Sequence, residues 1–112
     1  MATNRNQLRD DAAELAVLVS KIFGSDAKGD TYMEKLLASV ISLGSALSSL
    51  KNARDEISIV RRLNLALDAC AEISFVAKVL LLEGKSTEDD YKLIKKSIGT
   101  IERRISANIS EK

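Results

Sequence analysis

Apolar residues recur along the chain in four runs whose spacing alternates between three and four, the signature of helices that bury one side. In the first run, Leu8, Ala12, Leu15, Leu18, Val19 and Ile22 share a stripe, which predicts a helix from about Asn6 to Phe23. Gly24 follows where a left-handed residue often closes a helix, and Ser25 to Asp30 has turn composition without periodicity. The second run starts at Asp30 or Thr31, where Thr31 and Glu34 have the spacing of a reciprocal capping box. Its expected seam is Met33, Leu37, Val40, Gly44 and Leu47, widened by Leu36, Ile41 and Leu50. Beside that seam lie Ala38, Ser39, Ser42, Ser45, Ala46, Ser48 and Ser49, small side chains that admit a close neighbour: another helix of this chain, or a second subunit.

Between the second and third runs stands Lys51-Asn52-Ala53-Arg54-Asp55, with neither glycine nor proline to force a break. A break near Asn52 is expected because Asp55 can cap a new helix and Glu56 favours its first turn. The third helix then reaches Glu83. Ile59, Leu63, Ala66, Cys70, Ile73, Ala77 and Leu80 form its stripe, and Leu67, Val76, Val79, Leu81 and Leu82 add apolar surface beyond it. Such a helix is either central or carries a second interface. Gly84 ends it, and Ser86 or Thr87 caps the fourth helix, which opens on Glu88, Asp89 and Asp90. Tyr91, Ile94, Ile98, Ile101, Ile105 and Asn108 then make the most regular seam in the chain. Four helices with short connections predict an all-α, single-domain up-down four-helix bundle over residues 1–112.

Composition agrees. The chain has no proline, five glycines and 4% aromatic residues, too few for a β-sandwich, and its length suits one core. With no histidine, the commonest general base and metal ligand is missing, and the single cysteine, Cys70, has no base or co-ligand to work with. Cys70 lies on an apolar stripe and reads as a small buried hydrophobe. Glu14 and Glu72 lie close to apolar stripes, either partly buried or as solvated or hydrogen-bonded edge residues, and no Glu-x-x-His pair exists for a di-metal site. The expectation is a protein that is not an enzyme, with no cofactor, metal or small-molecule substrate. Met1 to Arg5 shows no signal-peptide run, and Val79 to Leu82 is far short of a membrane span, so the expected location is cytoplasmic.

Net charge is only +1, but from Tyr91 onward there are six basic and two acidic residues. Lys92, Lys95, Lys96 and Arg103 return to one side of the fourth helix, with Gly99 among them and Arg104 adjacent. Arg61 and Arg62 form a second basic pair early in the third helix. Such a face suits phosphate contact, and a solvated lysine surface has the same composition.

The run from Arg61 through Ile73, Arg61-Arg62-Leu63-Asn64-Leu65-Ala66-Leu67-Asp68-Ala69-Cys70-Ala71-Glu72-Ile73, resembles the third helix of a bacterial four-helix-bundle family. That family includes proteins encoded in ribosomal-RNA intervening sequences and the accessory variability determinant of diversity-generating retroelements. Leu82 through Tyr91 is similar to its turn between helices 3 and 4, and Ile101 through Ile109 to its closing segment. Arg62 stands where the family usually has an aromatic residue, and Ser42-Leu43-Gly44-Ser45-Ala46 replaces a Pro-x-Asn-Ile-Ala-Glu-Gly-like element, which leans towards the retroelement branch. The resemblance implies a ring-like homo-oligomer that binds a reverse transcriptase and its structured RNA; the basic residues of this sequence, Arg61, Arg62, Lys92, Lys95, Lys96, Arg103 and Arg104, are then the expected phosphate contacts. The alternatives are a protein-binding bundle, such as a bacteriocin-immunity-like or toxin-neutralising module, and an assembly subunit without a ligand.

Overall fold

In the computed structural model, residues 5–110 are described, and four α-helices run through them: α1 (Arg5–Phe23), α2 (Thr31–Ser48), α3 (Glu56–Leu82) and α4 (Glu88–Ser110). Met1 to Asn4, where a leader would begin, and the closing Glu111 and Lys112 lie outside the described residues. Each helix packs against two neighbours, α1 on α2, α2 on α3, α3 on α4 and α4 back on α1. Cross-links fix the alternating directions. Lys85, just after α3, pairs with Asp30, just before α2; Arg104 late in α4 pairs with Asp11 early in α1. The result is an all-α, up-down four-helix bundle. At ~1.5 Å per residue, the 27 residues of α3 span about 40 Å, which accounts for the bundle's 43 Å long axis.

The expected stripes of α3 and α4 are the buried ones. Ile59, Leu63, Ala66, Cys70, Ile73, Ala77 and Leu80 are all buried, as are Ile94, Ile98, Ile101, Ile105 and Asn108, with Tyr91 packed against the core edge. In α2 the expected seam is rotated. Leu36 and Leu43 are fully buried at its centre beside Val40 and Leu47, Leu37 is only partly covered, and Ile41 is 67% exposed. The reason is that α2 sits between α1 and α3, so Ser39 on the α3 side is buried as deeply as the leucines.

Two helix ends also differ from expectation. Gly24 is not left-handed; its N–H continues the α1 pattern by donating to the Ser20 carbonyl at 2.8 Å. Glycine fits there because a β-carbon would lie 2.5 Å from that same oxygen. The cap of α2 is Asp30, not Thr31: its carboxylate accepts from the amides of Tyr32 and Met33, and Glu34 accepts from the Gly29 amide. A carboxylate at the positive helix end outcompetes a hydroxyl because charge and hydrogen bonds act together. Elsewhere the ends are as expected. Gly84, at φ 77°, closes α3, with Lys85 N–H donating to Leu80 and Gly84 N–H to Leu81, a Schellman pair. Thr87 caps α4 by accepting from the Asp90 amide.

The break between α2 and α3 has a specific cause. A 3-10 turn, Ser49–Asn52, follows α2 with Leu50 buried beneath it, Ala53 is extended, and Asp55 caps α3 by accepting from the Ser58 amide at 2.7 Å. Arg62 then reaches back one turn of α3: its Nη1 donates to the Ser49 carbonyl at 2.8 Å and its Nε to the Ser58 hydroxyl. The Ser49 carbonyl, just past the end of α2, thereby gains a side-chain donor that ties it to α3.

Polar bonds between helices complete the frame. The Ser39 hydroxyl donates to Glu72 Oε2 at 2.6 Å, and Lys35 pairs with Oε1 at 3.3 Å, joining α2 to α3. The Lys78 ammonium stands 5.3 Å from the centre of the Tyr91 ring, across α3 and α4. The hydrogen bond from Lys85, then the backbone bonds of its cap, hold the Asp30 carboxyl below its ordinary 3.8. The Ser39 and Lys35 bonds hold Glu72 below 4.5. Lys85 is raised above 10.5 by the bond to Asp30.

Stability measurements can read this packing in two ways. Ile98→Ala or Ile101→Ala should lower unfolding stability by roughly 2–5 kcal/mol, as for other fully buried large-to-small changes, read by denaturant titration; a loss below about 1 kcal/mol contradicts the seam. Depressed carboxyls stabilise the fold above their unfolded values and lose that contribution as pH falls through the folded ones; raised Lys85 contributes below 10.5 and loses it above. The melting temperature should therefore be flat between roughly pH 5 and pH 8 and fall on both sides; on the alkaline side the fall starts near pH 9, where the Cys70 thiol ionises in the unfolded chain but stays protonated in its buried site. Lys85→Gln should remove the alkaline fall that Lys85 causes and shrink the acid one, leaving the share carried by Glu72.

Candidate nucleic-acid interface

The periodicity that buries the isoleucines of α4 necessarily turns the residues between them outward. Lys92, Lys95, Lys96 and Arg103 are all exposed on the side opposite the seam, in one strip two helical turns and more in length. None of the four forms an ion pair among the described residues. Arg103 is steadied by its own helix, Nη2 donating to the Thr100 hydroxyl at 3.3 Å. The missing side chain at Gly99 leaves the strip low in its middle, with the Arg103 guanidinium beside it.

The strip has a mixed border. Between α1 and α4 runs a shallow groove of about 220 Å³, where Lys96, Ser97, Thr100 and Leu93 face Asp11 and Glu14. Glu14 is an exposed groove-wall residue. Asp11 is spoken for, because its carboxylate takes the Arg104 guanidinium. That pair is partly buried, and the Arg104 carbonyl accepts from buried Asn108 at 2.8 Å. Arg104 thus ties α4 to α1.

The seven residues singled out in the sequence therefore divide. Lys92, Lys95, Lys96 and Arg103 lie together, and Arg61 is exposed early in α3, in the same half of the bundle as Arg103 and away from Lys92 to Lys96. Arg62 and Arg104 have folding partners and point their charge into the protein's own joints. Topology adds a feature that residue order hides. All seven arginines, at 5, 9, 54, 61, 62, 103 and 104, fall in the half of the bundle where α1 and α3 begin and α2 and α4 end. The helix residues of the opposite half carry lysine alone as their basic side chain. Arginine binds phosphate through a planar fork, lysine as a point charge.

Other chemistry is sparse. No group of three or more His, Cys, Asp and Glu side chains among the described residues is arranged to hold a metal ion. Cys70 is fully buried; burial, and then the charge of Glu102, pushes its thiol up to about 12, so it stays protonated at neutral pH. Among the described residues, no helix is long and apolar enough to cross a membrane.

No family model matches the chain, and no curated protein matches it. Among solved structures, the chain is similar to a protein of unknown function from the S23 ribosomal protein family of Bacteroides thetaiotaomicron. The two share 21% identity and superpose with a TM-score of 0.86 over 95% of this chain and 97% of that one, so the likeness is one of fold over nearly the whole length of both.

Proposed function

We propose that this bundle is a non-catalytic accessory protein that binds structured RNA through basic helix faces and joins it to a reverse transcriptase. The observation that carries the RNA part is the α4 strip: Lys92, Lys95, Lys96 and Arg103 are exposed, aligned, and not neutralised by ion pairs among the described residues. Arg61 extends the basic surface on α3, whereas Arg62 and Arg104 act by holding the helices that present it. The reverse transcriptase comes from the resemblance of Arg61 to Ile73 and of the segments after it.

A homo-oligomer belongs to the same proposal. Phe75 and Leu82 are 66% and 76% exposed, and with half-buried Val79 they follow a four-then-three spacing along the outward side of α3. Large apolar groups in one exposed stripe favour a covering partner, and symmetric self-association is the common way to supply one.

Sedimentation of the protein alone and with a structured RNA hairpin reads both parts. The protein alone should sediment as an oligomer, and affinity for the hairpin should fall steeply with salt. Lys92→Gln, Lys96→Gln and Arg103→Gln together should reduce the slope of log affinity against log salt by about two to three per subunit, with the helical circular dichroism unchanged. A protein that binds no RNA at low salt contradicts the RNA reading and favours the protein-binding bundle; a monomer at high micromolar concentration contradicts the oligomer.

A further inference from the structure

A concavity lies at the end of the arginine-rich half. Where α1 begins, it diverges from the end of α2 and its 3-10 turn, leaving a cleft of about 140 Å³. Arg5 and Arg9, one helical turn apart on α1, form one wall, and Lys51 and Ser48 form the other. Buried Leu47 and Leu50 make the floor. No carboxylate among the described residues lines it.

That arrangement works against folding. Cations four apart on a helix repel by a few tenths of a kcal/mol, and the topology brings Lys51, over forty residues away, to the same hollow. Arg62 and Arg104 recover such costs in ion pairs or carbonyl bonds within the fold. Arg5 and Lys51 have no ion pair among the described residues, and Arg9 has a single long contact to exposed Asp10 at 3.8 Å, the kind worth almost nothing in water. Three cations converging on a hollow with an apolar floor and a hydroxyl at its rim match a tetrahedral oxyanion: guanidinium forks grip two oxygens, and ammonium and hydroxyl take the others.

We infer that the cleft between the start of α1 and the end of α2 is a phosphate-binding site, with Arg5, Arg9 and Lys51 as its ligands and a backbone phosphate of the bound RNA as its occupant. It rests on the RNA reading for the source of the phosphate, though not for the chemistry. The cleft lies at the opposite end from Lys92 to Lys96, so an RNA that occupies both must run along the 43 Å length of the bundle.

Two arms of one experiment separate the site from its source. Titrating inorganic pyrophosphate into the full chain should shift backbone amide resonances at residues 5–9 and 47–51, and Arg5→Gln, Arg9→Gln and Lys51→Gln together should abolish those shifts with the remaining spectrum unchanged. Shifts that are absent, or confined to Lys92 to Lys96, overturn the site. In the second arm a structured RNA hairpin should displace the pyrophosphate, and the triple variant should lose at least tenfold in hairpin affinity. A hairpin that binds without displacing pyrophosphate overturns RNA as the occupant. A hairpin that does not bind at all overturns the proposed function, and the first arm still decides the cleft.

Discussion

The close approach of α2 and α3 determines how the rest of the bundle assembles. They are the most extensively packed helix pair in the protein, and side-chain size governs their approach. On α3 the buried face includes Ala66, Ala69, Cys70 and Ala77, and on α2 it includes Ser39 and half-covered Ala46. A buried hydroxyl without a partner would cost roughly 1–3 kcal/mol, so Ser39 fits this joint only where Glu72 meets it. That bond therefore acts as a register mark: slide α3 by one turn and the hydroxyl is stranded. With the register set, Arg62 meets the Ser49 carbonyl, the chain breaks without glycine or proline, and Lys85 falls beside Asp30 at the far end. Once α2 and α3 are fixed, α1 and α4 close the bundle through Leu8, Leu15, Val19 and the isoleucine seam, locked by Arg104 on Asp11.

The outer surfaces that this frame presents are unlike one another. The outward side of α3 is apolar late in the helix, around Phe75, Val79 and Leu82, whereas that of α4 is basic from Lys92 to Arg103. A bundle that buries its core this fully has no folding need for either. One face suits a like-natured protein surface, the other a polyanion, and a protein that must hold two macromolecules together requires both kinds. The segregation of arginine adds a direction to the long axis. Guanidinium forks gather where α1 and α3 begin, and the helices of the opposite half carry only the point charges of lysine.

How much of this is legible in the sequence depends on how far apart the interacting residues lie. The seams of α3 and α4 are readable because each is a nearly unbroken row of large apolar groups at helical spacing, and local order is enough to find them. The seam of α2 is misplaced by periodicity alone because serine and alanine flank it on both sides. Ser39 and Ser42 look alike in sequence, yet one is buried against Glu72 and the other is exposed. The choice of Asp30 over Thr31 as cap also depends on a distant partner, Lys85 at a separation of 55 residues. In sequence, Arg62 and Arg104 group with the exposed cations because their partners, Ser49 and Asp11, stand 13 and 93 residues away. The cleft is hidden for the same reason. Arg5 and Arg9 announce a pair on one helix face, but only the return of α2 brings Lys51 to it.

In the proposed function the basic surface of this bundle is a contact surface for RNA phosphates, and not simply a solvated exterior. Its most direct test is ultraviolet cross-linking of the folded protein to a structured RNA at physiological salt, with the attachment sites located by mass spectrometry of the digested protein. Adducts are expected on peptides that carry Lys92 to Arg103 and on those that carry Arg5 to Arg9 and Lys51 to Arg61, all suppressed by excess unlabelled RNA. Adducts confined to the apolar side of α3, or scattered evenly over every lysine-bearing peptide, would contradict that role.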